Sequence, residues 1–406
     1  MKKYNLIVVG GGVAGVAAAV AAGREGMKVL LIEKSGCLGG AMTNGLVYPF
    51  MDFKTENGKI LSKGIFTEMQ DRKKKYNDTS WESYKCVFDD MVCEAGVDVL
   101  FHSAVFEAKT EDRLVKSVKV ATKSGVMEFE ADYFIDSSGD GELIWMTNCD
   151  LQLGRESDGL SQPMTTCFRV CGVDVELYKK ENPKLQEKYK KLHKENKIIN
   201  PRENILLFYG LGEGILHFNT TRVVKHNPVD AIEVSKAEML ARRQITEMMD
   251  FLKENSEAFK KATLISIASH IGVRESRKLK GVHILTSEEL ISCTDFEDTI
   301  ALGNYDIDIH NPEGTGTTII NIPVNQYYKI PYRTLLPKEY DNMLVAGRCL
   351  SATHEAHSSV RIMPICACLG EAAGVAAALS YKTNRNVHTV DIKELREKLK
   401  ENGAAL

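Results

Sequence analysis

Two histidines and three arginines in the second half of the chain have side chains that could do chemistry. His354 and His357 lie close together, and an imidazole titrates near neutral pH, so either could act as an acid or a base. Arg274, Arg333 and Arg361 could each bind a carboxylate or another anion through paired N–H donors. These residue types together predict proton transfer on a small polar, anionic substrate.

The run His354-Glu355-Ala356-His357 also allows a metal-binding interpretation. It is one residue shorter than the zinc-protease motif, in which two histidines on one helix face bind the metal. The third ligand is not nearby in the sequence, although His310 could approach in space. We therefore predict no metal site.

Three glycines near the N-terminus have the spacing of a dinucleotide-binding fingerprint. The apolar run 6–9 leads into Gly10, Gly12 and Gly15, small residues follow, and a second apolar run ends on Glu33. In a strand, helix and strand, Gly10 allows the tight turn, Gly12 lets a pyrophosphate approach, and Gly15 lets helix and strand pack closely. Glu33 would accept hydrogen bonds from ribose hydroxyls and repel a 2′-phosphate, which favours FAD or NAD over NADP.

The same N-terminal stretch has two other interpretations. Lys2 and Lys3 followed by apolar residues resemble a signal peptide, and the apolar run approaches the length of a membrane span. Three adjacent glycines interrupt that run, and neither interpretation explains Glu33 or the second strand. We predict no membrane segment here and find no other apolar run of spanning length.

Composition and charge are those of an ordinary globular protein. The 406 residues have a net charge of −3 and are 44% hydrophobic, enough for two or three domains with substantial cores. The absence of a basic excess makes nucleic acid an unexpected partner. The ten cysteines lack any paired zinc-type spacing, which favours free thiols in a reducing cytoplasm.

A second glycine pair extends the fingerprint. Residues 34–45 form a loop of glycines and small polar residues that includes Gly39 and Gly40, and such a loop lets backbone approach a flat ligand. The pattern Glu33-Lys34 followed by Gly39-Gly40 resembles the extended FAD signature of flavoproteins with a glutathione-reductase type of FAD domain. A covalent bond from Cys37 to the flavin is conceivable, but an ordinary thiol is favoured.

The whole chain resembles the bacterial FAD-dependent oxidoreductases, with further matching stretches at residues 272–277, 307–310, 330–335, 346–348 and 351–361. The resemblance implies FAD and a redox reaction but no particular substrate. It implies FAD contacts at Gly10, Gly12, Ala14, Gly15, Glu33, Lys34, Gly39, Gly40, Ala41, Met42, Val105, Ser138, Gly139, Asp140, Gly347, Arg348, Gly370 and Ala372. An ordinary strand-to-helix turn capped by Asp140 is an alternative for residues 138–140. The family commonly has Gln where Glu371 stands.

The predicted fold is α/β, with a Rossmann-like FAD domain that has a parallel sheet and a β-meander. Residues 1–150 and 331–406 are expected to form this domain, and residues 151–330 an inserted α+β substrate domain. A small-residue helix at 370–378 is expected to point its start at the flavin, where partial positive charge would stabilise an anionic ring. No second glycine fingerprint follows, so a separate NAD(P)H domain is not expected.

These observations predict a cytoplasmic FAD-dependent oxidoreductase that transfers a hydride between FAD and a small anionic substrate. His357 or His354 would be the acid or base, and Arg274 and Arg361 the anchors. Structural roles for each, such as an Arg274–Glu275 pair, are equally good interpretations. Two rival functions remain: a flavin subunit that takes electrons from a partner to reduce an unsaturated acid, and a flavin-dependent protein that modifies or binds tRNA. The electron partner is unknown, and a homo-oligomer is possible.

Overall fold

The structure is a computed structural model that describes residues 2–76 and 79–406. In that part of the chain the strands are β1 (Lys2–Val9), β2 (Val29–Ile32), β3 (Asp98–Leu100), β4 (Ala104–Glu111), β5 (Leu114–Thr122), β6 (Gly125–Asp136), β7 (Leu151–Leu153), β8 (Phe168–Cys171), β9 (Leu207–Phe208), β10 (Leu216–Phe218), β11 (Thr263–Ile267), β12 (Arg277–Leu279), β13 (Thr299–Gly303), β14 (Ile307–His310), β15 (Thr317–Ile320), β16 (Tyr328–Pro331) and β17 (Met343–Val345).

The α-helices of the same residues are α1 (Val13–Arg24), α2 (Ile65–Lys74), α3 (Ser83–Glu94), α4 (Glu142–Met146), α5 (Val175–Lys194), α6 (Ala231–Asn255), α7 (Ser287–Ile291), α8 (His354–Val360), α9 (Met363–Thr383) and α10 (Ile392–Glu401).

The central sheet has seven strands in the order β3-β2-β1-β6-β5-β4, with β17 also paired to β6. Strands β3, β2, β1, β6 and β17 run parallel, whereas β4 and β5 continue from the first half of β6 as an antiparallel meander. The sequence predicted this parallel sheet and meander, and the expectation is confirmed. A single strand of 12 residues, β6, serves both parts of the sheet.

Helices α1 and α9 pack closely against each other beside the sheet because both consist largely of small residues. A Cβ atom on Gly370 would lie 2.0 Å from the Ala14 carbonyl oxygen, and one on Gly374 would lie 2.3 Å from that of Ala18. Glycine at both positions therefore lets the two helix backbones approach. This contact fixes the start of α1, and with it the nucleotide fingerprint, relative to the C-terminal third of the chain.

Helix α9 corrects one expectation from the sequence. Met363–Thr383 is long and apolar enough to cross a membrane, with a mean hydropathy of 1.5, although no such run was expected beyond the N-terminus. Within the fold, 94% of its apolar window is buried. Its apolar surface packs against protein, as in a core helix.

A second apolar core lies within the middle of the chain. It comprises side chains between Phe168 and Ala262, contributed by the sheet β11-β8-β10-β9 and by helices α5 and α6. Residues from Leu279 onward instead join the core of the central sheet. The division into an FAD domain and a substrate domain at residues 151–330 stays a prediction.

Candidate active site

The start of α1 combines two tightly enclosed glycines with an open one. Gly10 has φ +99°, and a Cβ there would lie 2.6 Å from the Ser137 carbonyl oxygen. A Cβ on Gly15 would lie 1.8 Å from the Gly10 carbonyl oxygen. Gly12, the residue before the first helical turn, has no described atom within 4 Å of its Cβ position. The glycines thus build the turn and leave open space at the helix N-terminus, where N–H groups can bind phosphate.

The second glycine loop packs directly on this turn. The Gly39 N–H donates to the Gly11 carbonyl oxygen at 2.8 Å, and Gly39 and Gly40 have positive φ values of 106° and 53°. Glu33, at the end of β2, is 6% exposed and accepts hydrogen bonds from the Gly11 and Ser35 N–H groups, each at 2.7 Å. The carboxylate is therefore held at the edge of the sheet where a ribose is expected.

These groups open onto one cavity of about 1240 Å³. Pockets for single small ligands have volumes of about 300–1,000 Å³, so this cavity has room for a dinucleotide and a second ligand. The predicted FAD contacts that line it are Gly10, Gly12, Ala14, Glu33, Lys34, Gly39, Gly40, Ala41, Val105, Ser138, Gly139, Asp140, Gly347 and Arg348.

Four other predicted contacts do not line the cavity. Gly15 and Met42 are buried in the core beneath the turn. Helix α9 begins at Met363, so Gly370 and Ala372 lie in its interior, and Gly370 packs on Ala14 instead. The sequence predicted that this helix starts at residue 370, but it starts seven residues earlier, at Met363. Gly370 was mistaken for a residue at the helix start because a glycine within a helix can serve close packing as well as ligand approach.

Asp140 contacts side chains from both the N-terminal part and the C-terminal third of the chain. It accepts hydrogen bonds from Arg348 Nη2 at 2.7 Å and from Ser276 Oγ at 2.8 Å. The Nζ of Lys34 lies 4.0 Å from it. Burial raises the pKa of Asp140, but the charges of Arg348 and Lys34 lower it on balance. The residue before α4 is Gly141, so Asp140 does not cap this helix as the alternative interpretation required.

The other end of the cavity is lined by charged side chains from the middle of the chain. Arg274 and Arg361 line it, together with Arg202, Asp308 and His310. Arg361 lies between α8 and α9, and Asp308 and His310 belong to β14. Sequence reasoning missed Arg202 and Asp308 and considered His310 only as a metal ligand. One signal in the sequence could have identified Asp308 and His310, because residues 307–310 are one of the stretches that match the family.

His354 and His357 do not line the cavity. Both lie in α8, and the helix directs them into the core. His354 Nδ1 lies 2.9 Å from a carboxylate oxygen of Glu275, which also binds Lys278. His357 Nε2 donates to the Arg348 carbonyl oxygen at 2.7 Å. Neither imidazole can therefore reach a ligand in the cavity.

Arg333 and Glu371 also lie outside the cavity. Arg333, with a side chain 46% exposed, donates from Nε to Asp298 at 2.9 Å. Glu371 is 1% exposed and accepts a hydrogen bond from the Ile65 N–H at the start of α2, 3.0 Å away. Burial raises the pKa of Glu371 to about 7. Glu371 thus lies between α9 and α2.

Asp308 makes polar contacts with two neighbouring side chains at this end of the cavity. Its carboxylate accepts from the Tyr305 hydroxyl at 2.7 Å and lies 3.4 Å from His310 Nε2. The other ring nitrogen of His310 accepts from Arg222 Nη2 at 3.2 Å, which leaves the proton on Nε2. Burial, aided by the charge of Arg274, lowers the pKa of His310 to about 3, so the ring is neutral.

No group of three or more His, Cys, Asp or Glu side chains suited to a metal ion occurs among residues 2–76 and 79–406. His354 bonds to Glu275, His357 to the Arg348 carbonyl oxygen, and His310 to Asp308 and Arg222, so the three histidines considered for a zinc site have different partners.

The fold and the glycine-lined cavity define a flavoprotein of the Rossmann type, and comparison with known families agrees. A model described as FAD dependent oxidoreductase matches residues 5–399. The chain belongs to the family of FAD-dependent oxidoreductases, and FAD is its cofactor. The open space at Gly12 and the position of Glu33 fit this cofactor.

The comparisons also found individual proteins of known structure or sequence that are similar to this chain. A geranylgeranyl bacteriochlorophyll reductase-like protein from Thermoplasma acidophilum has a TM-score of 0.52 and 14% identity, covering 100% of this chain and 85% of that chain. A p-nitrophenol 4-monooxygenase from Pseudomonas putida has a TM-score of 0.44 and 10% identity, covering 99% and 84%. Dihydrolipoamide dehydrogenase from Chaetomium thermophilum is 60% identical over 40 residues, which are 10% of this chain and 8% of the dehydrogenase.

Proposed function

We propose that the protein is a cytoplasmic enzyme that transfers a hydride between FAD and a small polar, anionic substrate. The observation that carries this proposal is that Arg274 and Arg361 line the same cavity as Gly12 and Glu33. A guanidinium binds a carboxylate through two parallel N–H bonds, which orient the anion as well as attract it. An acid held in this way would lie in the cavity that receives the cofactor.

When bound, FAD supplies the site with hydride chemistry. The chain must hold the substrate C–H bond in one orientation and manage the proton of the neighbouring O–H or N–H bond. Arg274 is itself oriented, since Nη1 donates to the Pro163 carbonyl oxygen at 2.7 Å and also contacts Thr165. A fixed guanidinium limits the positions that a bound acid can take.

The Asp308–His310 pair is the proposed acid–base group, in place of His354 and His357. Among the described residues the cavity is lined by two histidines, His270 and His310, and His310 bonds to Arg222 and Asp308. Its Nε2–H can polarise a substrate oxygen. Although burial raises the pKa of Asp308, contacts with His310 lower it on balance, so the carboxylate is ionised and can accept a hydrogen bond from the substrate O–H or N–H group.

A second function also fits the arginines. Reduction of an unsaturated acid, with electrons from a separate donor, would use the same anion contacts but would also require a protonated group to deliver a proton to the substrate. The two candidates differ only in direction and in the electron partner. They can be distinguished by the substrate that changes the flavin spectrum.

The test is an anaerobic absorbance titration of the purified, FAD-loaded protein. Hydroxy and amino acids are added to oxidised flavin, and unsaturated acids to flavin reduced by NADH or dithionite. Bleaching by a hydroxy or amino acid would support oxidation, and recovery of the flavin bands with an unsaturated acid would support reduction. If no acid changes the redox state in either experiment, the proposed function is wrong.

A further inference from the structure

Four arginines surround the Asp308–His310 pair. Arg202, Arg274 and Arg361 line the cavity, and Arg222, 2% exposed, bonds to His310. Arg202 is 8% exposed. Arginines this deeply placed are normally paired with carboxylates, because an isolated buried charge is costly.

Few carboxylates balance these four charges. Arg222 lies 3.9 Å from the carboxylate of Glu203, and Asp308 is engaged with Tyr305 and His310. Within residues 2–76 and 79–406, none of Arg202, Arg274 and Arg361 forms an ion pair. Four guanidinium groups thus face the carboxylates of Glu203 and Asp308, and Glu275, which also acts on Arg361, is bonded to Lys278 and His354.

The same three arginines retain N–H donors that protein acceptors do not use. Arg202 donates through Nε to Asn204 at 2.8 Å, and both of its Nη atoms lack a hydrogen bond to any described residue. Arg274 uses Nη1 for protein contacts, and Arg361 uses Nε and Nη2. Paired N–H donors without acceptors in a cavity are suited to carboxylate oxygens.

Mutual repulsion among the arginines agrees with this charge imbalance. Burial lowers the pKa of Arg274 to about 9, and the next contributions come from the charges of Arg361, Arg202 and Arg222. An anion in the cavity would relieve that repulsion, and a dianion would leave the cluster close to neutral.

We propose that the substrate is a small dicarboxylate, whose two carboxylates bind to Arg202, Arg274 and Arg361. This inference rests on the proposed function, since it names the class of substrate that the same site would take. Its basis is the set of three cavity-lining arginines without carboxylate partners. A monocarboxylate would leave one of these positive charges exposed to the cavity and unmatched.

The test measures binding without turnover. Calorimetric titration of the FAD-loaded protein would compare malonate, succinate and glutarate with propionate, butyrate and pentanoate, which match them in chain length. The best dicarboxylate is expected to bind at least about tenfold tighter than its monocarboxylate partner. Arg202→Met should reduce that preference to below about twofold without a comparable change in monocarboxylate binding.

Arg243→Met is the matched control, because Arg243 is an exposed arginine of α6 that does not line the cavity. It should keep the full dicarboxylate preference. If Arg202→Met does not retain FAD, Arg361→Met allows the same comparison. Equal binding of both acid types by the unmodified protein, or an unchanged preference in the folded cavity variant, would overturn the inference.

Different experimental results would contradict the dicarboxylate inference and the proposed redox function. If dicarboxylates bind more tightly but no acid exchanges electrons with the flavin, the dianion site stands and the redox proposal is wrong. If a monocarboxylic acid turns over and the saturated dicarboxylates bind no more tightly than their partners, the redox function stands and the dianion inference is wrong.

Discussion

The two ends of the cavity are built by different means. At the cofactor end, glycines and backbone N–H groups, most of them from residues 10–41, shape the surface, and Gly12 contributes by lacking a side chain. At the other end, charged side chains from separate parts of the chain, including Arg202, Arg274 and Arg361, meet around Asp308. A cofactor shared by a whole family can be bound by local backbone geometry, whereas a substrate is selected by side chains that the fold assembles.

The largest effect is expected from a substitution that disrupts only the cofactor end of the cavity. Gly12→Val should weaken FAD binding by at least about 100-fold, or 2.7 kcal/mol, because the side chain would fill the space for the pyrophosphate. No described atom lies within 4 Å of that Cβ position, so the fold itself should persist. The measurements are flavin content after reconstitution and a circular dichroism melt.

Gly314→Val is the control for this change, since its Cβ position is equally open and Gly314 does not line the cavity. It should retain stoichiometric FAD. Undiminished FAD affinity in Gly12→Val would refute the assignment of α1 as the pyrophosphate site.

The next largest effect is expected when an arginine that lines the cavity is replaced, compared with replacement of an arginine at the surface. Arg274→Met should lower kcat/KM for the acid substrate by about 10- to 100-fold, because a charged hydrogen bond contributes about 1.5–3 kcal/mol. Arg333→Met should change it by less than about twofold, because Arg333 pairs with Asp298 outside the cavity. Steady-state kinetics normalised to bound FAD make the comparison, and equal losses in both variants would contradict it.

Substitutions of two histidines test the same difference between a residue that lines the cavity and one that does not, and the expected effect is smaller. His310→Asn should lower kcat about 10-fold or more, because the Nε2–H beside Asp308 would be lost. His357→Gln should leave turnover per bound FAD unchanged and lower stability by about 1 kcal/mol, since His357 is buried and bonds to the Arg348 backbone. A kcat loss confined to the His357 variant would restore the original expectation from the sequence.

The smallest effect concerns Glu371, which belongs to neither end. Because burial raises its folded-state pKa to about 7, the folded protein binds a proton that the unfolded chain has released from about pH 4.3 upward. Stability from this carboxyl is therefore lost as pH rises toward 7, and Glu371→Gln should remove the loss. Urea unfolding at pH 5 and pH 8 should show a relative gain of about 1–3 kcal/mol for the variant at the higher pH.

The flavin spectrum provides the control for Glu371→Gln. It should not change, because Glu371 contacts the start of α2 and does not line the cavity. A shifted flavin spectrum would place the carboxyl beside the cofactor after all.

The sequence by itself determined the cofactor end of this protein. The fingerprint of Gly10, Gly12 and Gly15, with Glu33 at the end of the next strand, predicted the strand, turn and helix and favoured FAD or NAD. The resemblance carried by Gly39 and Gly40 implied FAD, and the structure and family comparison confirm the fold and the cofactor. These features were readable because a strand, a turn and a helix that follow one another in the chain are also neighbours in space.

Only the tertiary structure decided which side chains reach the substrate end. The sequence could not show that α8 directs His354 and His357 inward, or that Arg202 approaches Arg274, because these outcomes depend on how distant elements pack. The same is true of Gly370, whose glycine serves the contact between α9 and α1. A residue type limits the chemistry that a side chain can do, but packing decides whether that side chain faces a ligand or the core.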